Sequence, residues 1–176
     1  MKRSVVLMCM AALLLAGTVS ASVKKGDQEL DALGGWTTMS PAGGGDDVSA
    51  LFIVGRYGYF ITDWFQVAPV GMYATIDMGG GGDIDVYGIG AAAKFCFMTD
   101  KQWVPYAGVQ GLWGSAKFGG VTNDGFIYGA LGGVRYEMTP TTDFFVEAEY
   151  NLFSGDLGDA IDDMIILMVG FIHQLK

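Results

Sequence analysis

Residues 126–152, FIYGALGGVRYEMTPTTDFFVEAEYNL, decide the fold. Phe126, Tyr128, Ala130, Val134, Tyr136 and Met138 alternate with Ile127, Gly129, Leu131, Gly133, Arg135 and Glu137. Beyond Thr139-Pro140-Thr141-Thr142, the set Phe144, Val146, Ala148, Tyr150 and Leu152 alternates with Phe145, Glu147, Glu149 and Asn151. A period of two belongs to a strand, whose successive side chains point to opposite faces. The Thr-Pro-Thr-Thr run supplies the turn between the two strands. One face of this hairpin is apolar and aromatic, while the other mixes glycine with full charges. In water such an apolar face needs a second protein layer.

The 176 residues suffice for one domain. The first of them, MKRSVVLMCMAALLLAGTVSASV, have the layout of an export signal: basic Lys2 and Arg3, an apolar core from Val5 to Gly17, then small residues. Val19-Ser20-Ala21 predicts cleavage after Ala21, dividing the chain into a signal peptide (1–21) and a mature domain (22–176). The apolar core is too short to cross a bilayer as a helix. Cys9 is not placed as a lipid acceptor, because Met8 precedes it and the apolar stretch runs on. Cleavage leaves Cys96 alone, so no intramolecular disulfide is available. Yet 51% of the chain is hydrophobic, 13% is aromatic and 28 residues are glycine, and these apolar residues lie in short alternating segments. A small exported domain without disulfides needs a large hydrogen-bonded framework, which a closed barrel supplies.

Eight alternating segments are predicted, near 29–38, 48–60, 64–76, 85–97, 103–115, 126–138, 143–152 and 164–175. The third is apolar on both faces apart from Gln66, so its facing is open. The glycine run Gly79–Gly82 is not a phosphate loop: no Lys-Ser or Lys-Thr follows it. Tight turns at 61–63, 99–101 and 139–142 alternate with longer Gly- and Asp-rich connections at 39–47, 77–84, 116–124 and 154–161. The fifth segment carries a ruler, with Trp103 and Trp113 ten residues apart on one face. Ten residues at about 3.3 Å, tilted about 40°, project to roughly 25 Å, the height of the apolar band of a transmembrane barrel.

Lipid would then be the missing layer. In lipid a sheet satisfies its backbone only by closing, and eight tilted strands close around an interior just wide enough for side chains. The expected fold is all-β, an eight-stranded antiparallel up-and-down transmembrane barrel with short periplasmic turns. Trp36, Trp103, Trp113, Phe126, Tyr136, Tyr150 and Phe171 are expected to form aromatic girdles. Glu29, Asp31, Arg56, Lys94, Gln110, Arg135, Glu137, Glu147 and Glu149 are expected inside the lumen as a connected polar network, joined by Gln66. Inward Gly88, Gly90, Gly108, Gly114, Gly129 and Gly133 leave room for those long side chains.

Three stretches resemble the eight-stranded outer-membrane barrel domain of opacity proteins and of OmpA- and OmpX-like proteins. Val104 to Gly111 is similar to the family's Pro-Tyr-x-Gly-x-Gly strand. Gly129 to Tyr150 resembles its Gly-x-Gly-Val-x-Tyr, turn, aromatic-x-x-Glu-Tyr hairpin. Gly170 to Leu175 looks like the terminal strand read by the barrel-assembly machinery, although Lys176 follows and no terminal aromatic is present. The resemblance implies a location in the bacterial outer membrane, contact with outer-membrane lipid and lipopolysaccharide, and a monomer.

The residues offer little chemistry. The one histidine, His173, has no His-x-Ser neighbour and no second base, so a catalytic triad is not expected; nor is any cofactor or metal centre. Loss of the leader leaves 8 Lys and Arg against 19 Asp and Glu, a net charge of −11. Asp46, Asp47, Asp77, Asp83, Asp85, Asp124, Asp156, Asp159, Asp162 and Asp163 cluster at the outer connections, offset only by Lys117. Such a rim disfavours nucleic acid. It admits divalent cations bridging to lipopolysaccharide phosphates, as a second reading beside ordinary solvated loops. The expected role is structural or surface-interacting, through the outer loops of a filled barrel. The alternative is a narrow OmpW-like channel or lateral path for small solutes or hydrophobic molecules.

Overall fold

The computed structural model describes residues 23–39, 48–77, 82–97, 102–118, 120–158 and 163–175. The expected leader, and with it the division at residue 21, lies outside them. Eight strands follow one another: β1 (Gln28–Met39), β2 (Val48–Phe60), β3 (Phe65–Asp77), β4 (Asp83–Cys96), β5 (Trp103–Phe118), β6 (Val121–Thr139), β7 (Thr142–Gly155) and β8 (Asp163–Leu175). Each pairs antiparallel with the next, and β1 pairs with β8 to close the barrel. The opening hairpin pairs Arg135 with Phe145 and Tyr136 with Phe144, and a register shift between Glu137 and Thr139 absorbs one residue beside the turn.

Alternation fixes which residues meet which solvent. Along β8, Ile165, Leu167, Val169 and Phe171 are exposed, while Ile166, Met168 and Ile172 are buried. The same division runs around the wall, so two apolar surfaces exist, one outside and one in the bore. Among the described residues, no Asp, Glu, Lys or Arg faces outward between the aromatic belts. A surface of that kind is satisfied by hydrocarbon, and the β1–β8 pairing from Gln28 with Leu175 to Gly34 with Val169 closes the sheet.

Two expectations change. The outer connection at 116–124 is mostly strand: β5 and β6 stay paired to Phe118 and Val121, with a turn at Gly120. There Gly120 takes φ +87°, a left-handed value that glycine adopts without penalty and a hairpin of this length requires. The third segment, ambiguous in sequence, is oriented by its neighbours. Gln66 pairs in register with Lys94 and Phe60, and Gln66, Ala68, Val70 and Ala74 point inward.

The bore has two halves. Toward the short turns and the termini it is charged. Toward the long connections Leu33, Phe52, Val54, Leu112, Ile127 and Met168 fill it, and Leu157 folds back from the segment after β7 to cap it. That apolar half explains why β3 shows no polar face over most of its length.

Candidate functional site: the charged half of the lumen

Inward positions of seven strands converge here. Arg135 of β6 crosses the bore to Glu29 of β1, with Nη2 donating to Oε1 at 2.6 Å and Nη1 to Oε2 at 3.2 Å. Its Nε donates to Asp143 Oδ2 at 2.8 Å, and its Nη2 is also paired with that carboxylate. Gln66 of β3 donates to Glu29 Oε2 at 2.7 Å. Nearer the middle, Arg56 of β2 reaches Glu147 at 2.7 Å and Glu149 at 2.5 Å, both on β7. Gln110 of β5 donates to Glu149 Oε2 at 2.7 Å and to Asn151 Oδ1 at 3.0 Å. Lys94 of β4 reaches Asp31 of β1 at 2.6 Å and lies 5.5 Å from the centre of the Tyr106 ring. The Tyr106 hydroxyl donates to Glu147 Oε2 at 2.8 Å.

All of these side chains are buried, as is Glu137. Charges removed from water are tolerated only when paired and hydrogen-bonded, and each cation here has a carboxylate at contact distance. The Arg135–Glu29, Arg56–Glu147, Arg56–Glu149 and Lys94–Asp31 pairs link strands that are not neighbours, so they tie the wall together through the bore. Glycine makes the space: a Cβ on Gly133 would meet the Tyr106 hydroxyl at 2.6 Å, and one on Gly58 would meet Gln66 Cδ at 2.7 Å.

Asp143, Tyr106 and Asn151 also belong to this network, although sequence reasoning did not assign them to it. Asp143 shares the face of Glu147 and Glu149 at an even spacing, a signal masked by its place next to the turn. Of the expected girdle residues, Trp113 and Phe126 meet edge-on at 4.8 Å near the long connections, where Trp36 and Tyr150 are also exposed. Trp103 and Phe171 lie toward the opposite end, Phe171 against Phe144 at 5.7 Å. Tyr136 departs from the expectation of a lipid-exposed ring. It is 3% exposed, because Trp103 lies over it at 4.4 Å, and Trp103 takes the exposed position. Trp64, not expected in the girdle, joins this end, stacked on Phe95 at 5.6 Å.

His173 is on the exposed outer face of β8, and its register partners are Leu30 and Thr142. The charged cluster lies on the other side of the wall from it. Among the described residues no group of three or more His, Cys, Asp or Glu is placed to hold a metal ion. Asp46, Asp47, Asp159 and Asp162 lie outside the described residues.

Comparison with known proteins agrees with this architecture. The structure resembles Neisserial surface protein A with a TM-score of 0.61, at 18% identity over 90% of this chain and 100% of that one. It resembles the outer membrane protein OprG from Pseudomonas aeruginosa with a TM-score of 0.54, at 12% identity over 88% of this chain and 99% of that one. Identities this low carry the fold alone. No curated protein matches the sequence. The family model for the outer membrane protein beta-barrel domain matches residues 9–172, and the chain belongs to that family.

Proposed function

We propose that this barrel is a closed, non-conducting component of the outer membrane that works through its surface. One observation carries the reading: ion pairs of 2.5–2.6 Å cross the bore between β1 and β4, β1 and β6, and β2 and β7. Above them the bore is packed with apolar side chains. A permeant path would have to displace both layers. The same packing supports a non-catalytic reading, since His173 is separated by the wall from every buried carboxylate. In this reading the outer connections, with their aspartates, meet lipopolysaccharide, bridging divalent cations or other surfaces. The leader is removed after Ala21, the assembly machinery reads β8, and the barrel is a monomer. The test is planar-bilayer recording of the purified, folded protein. Silence is expected, and steady single-channel currents would defeat the proposal.

A second reading has its own observation. The β1–β8 ladder ends at Gly34 and Val169, whereas β1 stays paired with β2 to Met39 and β8 with β7 to Asp163. Behind that shorter seam lies the apolar half of the bore. This favours a lateral path for small hydrophobic molecules over an aqueous pore. Accelerated entry of such a molecule into proteoliposomes, without conductance, would select it.

A further inference from the structure

On the lipid-facing wall, β2 to β5 enclose an open groove of about 550 Å³. Gly55 and Gly71, directly opposite each other in the β2–β3 register, form its floor. A Cβ at either would meet nothing within 4 Å, so each glycine leaves a dent in the outer surface. The walls are Ile53, Tyr73, Tyr87 and Trp113, with Tyr73 and Tyr87 in ring contact at 5.2 Å. Glycine weakens a strand, and two paired outward glycines are suited to close approach by something lying against the wall.

The groove has a direction. Trp113 belongs to the aromatic belt at the outer end, so the groove lies in the outer leaflet, and Ser115 closes it toward the surface. Two residues beyond Ser115 on the same face is Lys117, exposed, and the only described cation on the outward wall of the strands. Asp85 and Thr122 flank it in register. Asp85 is engaged sideways, accepting the Tyr73 hydroxyl at 2.9 Å. An apolar slot leading up to a single ammonium matches a molecule with an acyl chain below and an anionic group above.

In a bilayer apolar area alone drives no association, because the lipid tails are equally apolar; shape decides instead. A chain held in the slot keeps dispersion contacts that a fluid annular chain makes only in passing. The carboxylates Asp85 and Asp124 limit attraction at the mouth, so the slot supplies most of the affinity and Lys117 the choice of headgroup. We propose that the β2–β5 groove seats one acyl chain of a phosphorylated glycolipid of the outer leaflet, with a phosphate of that lipid on Lys117. The inference rests on the outer-membrane reading above and gives it a defined ligand.

The experiment is amide NMR of the barrel in phosphatidylcholine nanodiscs titrated with purified lipid A. The resonances of Gly55, Gly71, Ser115 and Lys117 are expected to shift saturably, and those of β7 and β8 to stay in place. Gly55→Leu with Gly71→Leu fills the dents outward without touching the fold, and should weaken the response on the order of tenfold. Lys117→Gln should reduce the preference for lipid A over its dephosphorylated form about fivefold, the worth of one basic residue near an anionic surface. Shifts spread evenly around the barrel, or unmoved by these variants, would overturn the proposal. So would an equal response to phosphatidylglycerol, or shifts that follow protein copies per disc, which would assign the groove to a second copy. Heat-modifiable gel mobility checks that every variant is folded. A silent, folded barrel that ignores lipid A would sink this inference and leave the closed-barrel reading standing.

Discussion

Arg135 shows what a single residue contributes here. It satisfies two buried carboxylates at once, Glu29 across the bore on β1 and Asp143 on the neighbouring β7. Removing one partner of a buried pair leaves the others uncompensated, at about 3–5 kcal/mol. Arg135→Met should therefore lower the unfolding free energy by about that amount, measured by urea titration in lipid vesicles. A loss below about 1 kcal/mol would mean that the pairing is solvated. Val109 tests the other side of the wall. It lies outward near mid-band and is 59% exposed. Val109→Arg should cost about 2–4 kcal/mol in a bilayer, and a variant as stable as the parent would reverse the facing. At Gly133 the space is already taken by Tyr106. Gly133→Val must displace that ring and its bond to Glu147, so refolding yield should fall well below that of Gly111→Val, where a Cβ meets nothing.

Among the elements, the β5–β6 hairpin is the most informative. Trp113 and Phe126 mark where it leaves the apolar band, and it continues to Phe118 and Val121. That extension sits beyond the β1–β8 pairing, and its described residues contribute no bore-crossing bond. Replacing residues 116–123 with an Asn-Gly turn between the register partners Ser115 and Asp124 should leave refolding and heat-modifiable mobility unchanged. Loss of folding would show that the extension nucleates the barrel. The strand pattern was legible in the chain wherever an apolar face opposes a polar one, as in β6 and β7. It was not legible in β3, because Val70 and Ala74 face an apolar half of the bore while Val67 and Pro69 face lipid. Two apolar environments leave no contrast for alternation to report. The Gly- and Asp-rich stretch at 116–124 suggested a longer connection, although β5 and β6 stay paired through most of it.

At the scale of the molecule, closure joins every observation. Two apolar surfaces and a charged cluster coexist in one wall only because the sheet returns on itself, giving an outside for lipid and an inside for the pairs. A barrel held this way should keep its shape in detergent at room temperature. Its gel mobility should differ before and after boiling, and a single unchanged band from outer-membrane fractions would contradict the fold.

The strand count, the two-faced strands, the belt spacing between Trp103 and Trp113, and which residue types face the bore could all be read from the chain alone. These follow from local geometry: a period of two and a rise per residue need no knowledge of neighbours. The partners came from the folded barrel. Arg135 binds Asp143, eight residues away, and with the same guanidinium also Glu29, 106 residues away. Register and closure place those two carboxyl and guanidinium groups across the same section of a narrow bore, and no local pattern encodes that distance. The covering of Tyr136 by Trp103, the division of the lumen into charged and apolar halves, and the lipid-facing groove over Gly55 and Gly71 belong to the same class. Each depends on side chains from strands far apart in the chain being brought to one height on a closed wall.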